Sequence, residues 1–275
     1  MPGSNARALE KARELQADCM IFDLEDAVAP EAKSMARAQV AAAVREGGYG
    51  NREIVIRINA LDTEWGEDDL QEIATAGASA VLLPKVESPE QLVVLQEKLI
   101  AAGAPENQKL WLMAETPRGI LDLDAICHAP HLEVVVMGTS DLAKMLRVAP
   151  DGSRSGLLGA LSHSVTTARA HGLDILDGVH LGVNDDAAFR AACVQGHELG
   201  FDGKTLIHPR QIATTNEVFG ISEAQAIEAE AVLESFRQAR AAGEGVAVHN
   251  GKLVEQLHVD EAERILALYQ TTSKT

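Results

Sequence analysis

Acidic residues recur just after short apolar runs of this sequence. Asp23, Glu25 and Asp26 lie in IFDLED, Glu115 ends LWLMAE, and Asp141 ends VVVMGTSD. Two carboxylates without an accompanying histidine or thiolate suit a hard cation such as Mg²⁺, which takes one or two protein carboxylates and completes its shell with other oxygens. The spacing therefore favours a metal site at Glu115 and Asp141. The alternative is that these acids only cap the helices that follow.

Two further features could bind an anion near those acids. Gly138-Thr139-Ser140 forms a glycine-led turn, which can direct successive backbone N–H groups at a carboxylate. Arg57 lies between apolar residues in EIVIRIN, and a guanidinium in such a place needs an anionic partner. That partner is either a substrate oxygen or a strand-end acid.

Lys85, at the end of AVLLPK, offers a different chemistry. A desolvated lysine there could form a Schiff base with a carbonyl substrate, as in metal-independent aldolases. The alternative is that Lys85 is solvated or paired with Glu87.

The elements that would position these residues alternate regularly. Short apolar runs predict strands, amphipathic stretches between them predict helices, and most strand-to-strand intervals are near the length of one βα unit, about 30 residues. The pattern predicts an α/β fold of the TIM (β/α)₈-barrel type, whose active site lies where strands end. The expected strands are 19–25, 53–59, 80–86, 110–115, 133–138, 173–178 and 203–208.

An eighth strand is needed to close such a barrel. The chain opens on Met1-Pro2-Gly3-Ser4-Asn5, which resembles a loop leaving a strand, so we expect that the first strand is missing from this chain. The alternative is an open or rearranged barrel. Residues 1–221 are predicted to form the catalytic barrel. Residues 222–275 are predicted to form a lid made of a helix that opens on an S-x-x-Q capping box, a hairpin with Asn-Gly at its turn, and a final helix from about Val259.

Bulk composition excludes several classes of protein. The net charge of −17 disfavours nucleic-acid binding, because it would repel phosphate backbones. The sequence has neither a long apolar span nor a signal-like start, which predicts a cytoplasmic protein that does not bind membranes. Its three cysteines have no paired spacing and are expected to be reduced thiols.

Segments along nearly the whole chain resemble one known family. The runs PGSNARALEKA, IFDLEDAVAP, IVIRINALDT, LLPKVES, AETPRGI, MGTSDLAK and GFDGKTLIHPRQI are similar to those of the citrate lyase β-subunit-like family, which includes malyl-CoA and citramalyl-CoA lyases. The resemblance implies a homo-oligomer, trimeric or hexameric, that uses Mg²⁺, which Mn²⁺ could replace. It also implies that Glu115 and Asp141 bind the metal, that Glu25 and Asp26 hold its water ligands, and that Arg57 faces the reacting oxygens.

The same resemblance assigns further residues to the substrate. Arg7 and Lys11 would meet the phosphates of coenzyme A, and Pro84 and Lys85 would line the site without forming a Schiff base. One departure is in the closing segment GKLVEQLHV, where Glu255 stands in place of the family's mobile acid–base aspartate. The extra methylene shifts the carboxyl group, and such a shift can be costly to proton transfer.

The predicted activity is that of an oxo-acid lyase. A 3-hydroxyacyl-CoA ester such as malyl-CoA or citramalyl-CoA would be cleaved to acetyl-CoA and a 2-oxo acid, glyoxylate or pyruvate. Glu255 would remove the hydroxyl proton, and Arg57 would stabilise the enolate. Two alternatives are a malyl-CoA thioesterase on the same scaffold and a citrate lyase β subunit that acts on a carrier-bound ester.

Overall fold

The computed structural model describes residues 1–149 and 153–272, which form two compact units, Met1–Thr214 and Thr215–Thr275. Packing thus divides the chain after Thr214, whereas the sequence pattern places the change after residue 221. The assignment of residues 1–221 to a catalytic barrel and of residues 222–275 to a lid stays a prediction.

The first unit is built on a curled half-barrel of parallel strands in simple sequential order. All the predicted strands are present, and most end a few residues earlier than expected, because their last residues belong to the loops at the mouth. This arrangement confirms the predicted α/β fold of the TIM-barrel type. The strands are β1 (Cys19–Asp23), β2 (Glu53–Arg57), β3 (Ala80–Leu83), β4 (Lys109–Ala114), β5 (Leu132–Met137), β6 (Asp174–Asp177) and β7 (Gly203–Lys204).

Helices connect successive strands, as right-handed βαβ crossovers require. The capping box formed by Ser88 and Gln91 and the proline at the first helical position explain where the helix after β3 begins. The helices of this part of the chain are α1 (Ala6–Lys11), α2 (Lys33–Glu46), α3 (Gly66–Ile73), α4 (Pro89–Ala101), α5 (Pro117–Leu121), α6 (Leu123–Ile126), α7 (Thr139–Leu146), α8 (Leu158–Ala170), α9 (Asp186–Leu199) and α10 (Ile212–Phe219).

Apolar side chains fill the concave side of the sheet. Side chains along a strand alternate between its two faces, so every second residue of β4 points into this core. The same alternation brings Glu115 to the open end of the core, directly above Met113. The clustered core residues are Val55, Ala80, Leu82, Trp111, Met113, Val134 and Val136.

The outer edge of β1 carries the start of the chain. The Met1 ammonium donates to Ile21 O (2.7 Å), Asp23 N donates to Met1 O (2.8 Å), and Gly3 N donates to Asp23 O (2.8 Å). No strand beyond β1 is among the described elements at this edge of the sheet. Met1–Gly3 instead runs parallel to β1 at that edge through these bonds.

The second unit consists of the last residues of α10, which crosses the boundary between the units, followed by a helical hairpin and a small sheet. Helix α11 (Glu223–Ala241) begins at the predicted Ser222 capping box, and β8 (Ala247–His249) pairs with β9 (Lys252–Val254) across the predicted Asn-Gly turn. Helix α12 (Gln256–Thr272) begins three residues before the predicted start. In the described residues no helix is both long and apolar enough to cross a membrane.

Candidate active site

The last residues of β1 and β2 form a doubly bonded ion pair. Asp23 and Arg57 are register partners, and Arg57 donates from Nε and Nη2 to the two carboxylate oxygens of Asp23 at 2.7 and 2.6 Å. Asp23 also accepts the backbone N–H groups of Glu25 and Ala27. Burial alone would raise the pKa of Asp23, but the Arg57 guanidinium and the two amides outweigh it and lower that pKa. Arg57 is therefore held rigidly by a strand-end acid, which was one of its two predicted partners.

Glu25 joins this pair from the loop after β1. Its buried carboxylate lies 3.0 Å from Arg57 Nη1 through Oε2 and contacts Lys85 Nζ through Oε1. Oε2 is buried without a well-aligned hydrogen bond. The carboxylate of Asp26 is exposed and lies 3.8 Å from Lys85 Nζ. These four residues form one connected group at the mouth of the half-barrel.

Lys85 links Glu25 to Glu115. Its backbone is in the left-handed region (φ 53°), and its N–H donates to Glu115 Oε1 at 2.8 Å. Of the alternatives raised for Lys85, pairing with Glu87 does not occur, since the ammonium binds Glu25 instead. Burial would lower the pKa of Lys85, but Glu25 and neighbouring acids raise it. A lysine held protonated in this way is a poor Schiff-base nucleophile, which disfavours the metal-independent aldolase alternative.

Glu115 sits in a space that only a glycine leaves open. A Cβ added at Gly138 would lie 2.4 Å from Glu115 Oε2, so any other residue would push the carboxyl group away. Burial raises the pKa of Glu115 to about 7, and the Lys85 amide and the charges of Lys85 and Arg57 only partly oppose that rise. The protein alone therefore leaves this carboxylate poorly neutralised.

In the glycine-led turn after β5, one of the backbone N–H groups that was predicted to face a substrate carboxylate is already bonded within the sheet. The Gly138 N–H donates to Ala114 O (3.0 Å), which continues the β4–β5 ladder and leaves this amide unavailable to a substrate. Asp141 is half-buried in the first turn of α7, whose N-cap is Gly138, while Ser140 is exposed and Thr139 is buried. The adjacency of β4 and β5 brings this turn to Glu115, as the spacing predicted.

The remaining predicted site residues lie on other elements of the chain. Arg7 and Lys11 are exposed one turn apart on α1, and Pro84 is buried at the end of β3. Glu255 is exposed in the second unit, just before α12, where its N–H donates to His258 Nδ1. Its role in proton transfer stays a prediction.

The donor set at the mouth fits a divalent cation. Three acids, Asp23, Glu25 and Glu115, face two bases, Arg57 and Lys85, and among the described residues the buried Glu25 Oε2 has no aligned hydrogen-bond donor. Among the described residues, no three His, Cys, Asp or Glu side chains converge as a ready-made cluster.

A second buried charge cluster at the mouth escaped the sequence analysis. Asp177 ends β6 and is fully buried, where it accepts hydrogen bonds from Arg154 and Lys204. Its position after an apolar run is the same signal that identified Glu115. Arg154 carries no comparable signal, because it lies in a loop.

Comparisons with known proteins identify one family along this chain. The family model described as HpcH/HpaI aldolase/citrate lyase matches residues 1–209. The (3S)-malyl-CoA thioesterase of Cereibacter sphaeroides (strain KD131) is 45% identical over 97% of this chain and 92% of its own length. Citrate lyase subunit beta of Escherichia coli (strain K12) is 32% identical over 97% of this chain and 90% of its own length.

A solved structure shares the fold along the whole chain. CitE from Mycobacterium tuberculosis, in complex with magnesium, acetoacetate and coenzyme A, has a TM-score of 0.78 at 28% identity and covers 98% of this chain and 96% of its own. The family resemblance inferred from the sequence motifs is thereby confirmed. The chain belongs to the HpcH/HpaI aldolase/citrate lyase family.

Proposed function

We propose that this protein is a Mg²⁺-dependent enzyme that hydrolyses the thioester of a short 3-hydroxyacyl-CoA of the malyl-CoA type, releasing the free hydroxy acid and coenzyme A. The observation that carries the proposal is the buried Glu115 carboxyl, fixed by the Lys85 amide against Gly138 and close to the Arg57–Asp23 pair. The 45% identity to a malyl-CoA thioesterase favours hydrolysis over the carbon–carbon cleavage predicted from sequence motifs.

Glu115 and Asp141 are the residues that would hold Mg²⁺, with Mn²⁺ as a substitute. When bound, the cation would polarise oxygens of the acyl group and neutralise charge that builds up there. CitE from M. tuberculosis, solved with magnesium, supports this cofactor. Glu115 Oε2, which faces Gly138, is the oxygen left for the ion, because Oε1 already accepts the Lys85 amide.

The surrounding side chains would bind and orient the ester. Arg57, immobilised by Asp23, would stabilise the negative oxygen that forms when water attacks the thioester carbonyl. Asp26 is the exposed acid of the group and would accept the proton of that water, while Glu25 is held by Arg57 and Lys85.

The far end of the substrate would be held by charge. Arg7 and Lys11 are exposed one turn apart on α1 and would bind coenzyme A phosphates, which supplies a local basic patch on an acidic protein. The coenzyme A bound to CitE supports a CoA ester as the substrate class. Trimeric or hexameric assembly, which would bring Glu255 to a neighbouring subunit's site, is part of the same proposal.

The second candidate is the lyase reaction, in which the same groups cleave a 3-hydroxyacyl-CoA to acetyl-CoA and a 2-oxo acid. The similarity to citrate lyase subunit beta favours it. Here Arg57 would stabilise the enolate oxygen of acetyl-CoA, and a base, Glu255, would take the 3-hydroxyl proton. A carrier-bound ester is the corresponding substrate if the chain serves as a citrate lyase β subunit.

Product analysis separates these reactions. The purified protein is incubated with Mg²⁺ and (3S)-malyl-CoA, and the products are separated by chromatography and identified by mass. Malate plus free coenzyme A is the expected result, and acetyl-CoA plus glyoxylate would replace the hydrolase with the lyase. Equal turnover with and without a chelator, or no turnover of malyl-CoA and citramalyl-CoA esters, would overturn the proposal as a whole.

A further inference from the structure

A buried ammonium group lies beneath the loop that carries Glu25 and Asp26. Lys33, the first residue of α2, is only 6% exposed. Its Nζ donates to Leu24 O (2.8 Å), Glu25 O (2.7 Å) and Asn59 Oδ1 (2.7 Å), so all three of its N–H donors are used. Lysine is almost never this buried unless its charge is paired or fully bonded.

A polar network supports this lysine from behind. Asn59 donates from its backbone N–H and from Nδ2 to Asp69 Oδ2 at 2.9 and 2.7 Å. Asp69 is fully buried and accepts from Arg37 Nε through its other oxygen at 2.8 Å. The network therefore ties α2 to the loop after β2 and to α3, and it fixes the place of the acceptor that Asn59 presents to Lys33.

We propose that Lys33 is a positioning residue for the site. By bonding the carbonyl oxygens of Leu24 and Glu25, its ammonium sets where the Glu25 carboxylate stands against Arg57 and Lys85. Two of its three hydrogen bonds end on the backbone of the site loop, and Asn59, its third acceptor, donates from Nδ2 to Leu24 O at 2.9 Å. The buried Asp177, by contrast, is bonded to Arg154, Lys204 and the Gly178 N–H. Comparing these two positions separates a positioning role from general support of the fold.

The first test measures the loop directly and does not depend on the reaction. Lys33→Met removes the three hydrogen bonds at nearly constant volume, and Arg45→Met, on the exposed side of the same helix, is the matched control. We expect amide hydrogen exchange within residues 24–28 to rise by about tenfold in Lys33→Met and to stay unchanged in Arg45→Met. Unchanged exchange in both variants would overturn the proposal.

The second test is kinetic and rests on the proposed function. We expect Lys33→Met to lower kcat by roughly tenfold to a hundredfold and to leave KM within about threefold, because the loop is displaced while the coenzyme A end is untouched. Asp177→Asn, which disturbs a buried ion pair with Arg154 and Lys204, should lower the unfolding midpoint and leave the kcat of folded molecules close to that of the parent. Equal losses of kcat in the two variants would reduce Lys33 to a structural residue.

A milder variant covers the case in which Lys33→Met does not fold. Lys33→Gln keeps an amide group that can donate to some of the three acceptors of Lys33. We therefore expect a smaller rise in amide exchange within residues 24–28, and a smaller fall in kcat, than in a variant that loses all three hydrogen bonds. A Lys33→Gln protein that matches the parent in both measurements would contradict the proposal. A parent protein without activity on CoA esters would refute the proposed function, and hydrogen exchange would still decide the role of Lys33.

Discussion

Two clusters of buried charge stand at the C-terminal ends of strands in the same sheet, and they differ in how completely the protein neutralises them. In the Asp177 cluster (Arg154, Asp177 and Lys204), Arg154 Nη1 lies 2.8 and 2.9 Å from the two Asp177 oxygens. Lys204 Nζ lies 2.6 Å from one of them, and the Gly178 N–H donates to the other. The carboxylate thus has cationic and amide partners within the protein.

The Glu115 cluster (Asp23, Glu25, Arg57, Lys85 and Glu115) has more acids than bases. Asp23 is saturated in the same way as Asp177, whereas among the described residues Glu115 accepts a single hydrogen bond, from the Lys85 N–H, and burial raises its pKa to about 7. From this difference between the two clusters we infer that a buried carboxylate with a full set of protein hydrogen-bond donors supports the fold. One that is held in place but poorly neutralised is suited to an added cation or substrate.

The largest expected effect is the loss of turnover in Glu115→Gln. The neutral amide keeps the size of the side chain but cannot ligate Mg²⁺ as a carboxylate does, so we expect kcat to fall by roughly a thousandfold. Stability without Mg²⁺ should stay within about 1 kcal/mol of the parent, because the substitution removes a desolvated charge. Steady-state rates and urea unfolding check both statements, with the exposed Glu87→Gln as the matched control. If Glu115→Gln turned over substrate at a rate close to that of Glu87→Gln, the Glu115 cluster would not be the catalytic one.

The opposite result is expected for Asp177→Asn. Removing one charge leaves Arg154 and Lys204 buried without their anion, so the free energy of unfolding should fall by about 3–5 kcal/mol. Turnover per folded molecule should change little if the Asp177 cluster only supports the fold. The exposed Asp186→Asn serves as the control and should lose less than about 1 kcal/mol. A fully stable Asp177→Asn protein would show that the two clusters do not differ as described.

Arg57→Lys sharpens the comparison within the Glu115 cluster. Lysine keeps the charge but cannot bond both oxygens of Asp23 while reaching a substrate oxygen, so kcat should fall by roughly a hundredfold with a small change in KM. Steady-state kinetics at saturating Mg²⁺ separates the two constants. A change in KM alone would mean that Arg57 binds the ground state and does not stabilise the reacting oxygen.

The smallest effect is expected on α1. Replacing Arg7 and Lys11 by methionine should raise KM for the CoA ester by about tenfold and leave kcat unchanged, because exposed charge–phosphate contacts contribute only modestly. The increase should shrink at high ionic strength. A KM that matches the parent at low salt would remove these residues from the substrate site.

Much of this site could be predicted because its residues end strands. The alternation of apolar runs located Glu115 and Arg57 at the mouth, and the strand order confirmed that β4 and β5 are neighbours. The partner of Lys85 could not be predicted, because Glu25 lies 60 positions away and only the closed sheet brings them together. The ladder bond of Gly138 was likewise invisible in the sequence, since it depends on where β5 ends.

The supporting residues were missed for a different reason. Lys33 lies in a polar stretch and Lys204 near the start of an expected strand, and a lysine at either place is usually exposed, so only the tertiary structure shows that both are buried. The start of α12 was placed three residues late because the capping contact between Glu255 and His258 is not a standard Ser or Asp cap. The local sequence pattern thus predicts where strands end, whereas tertiary packing determines which charged side chains are buried and paired.

The most direct test of the central claim is the anomalous diffraction of crystals grown with Mn²⁺ in place of Mg²⁺. The account predicts one strong peak at the mouth of the half-barrel, about 2.0–2.4 Å from Glu115 Oε2 and a carboxylate oxygen of Asp141. Crystals of Glu115→Gln should lack the peak. A metal bound elsewhere, or one that persists in that variant, would contradict the assignment of the Glu115 cluster as the catalytic centre.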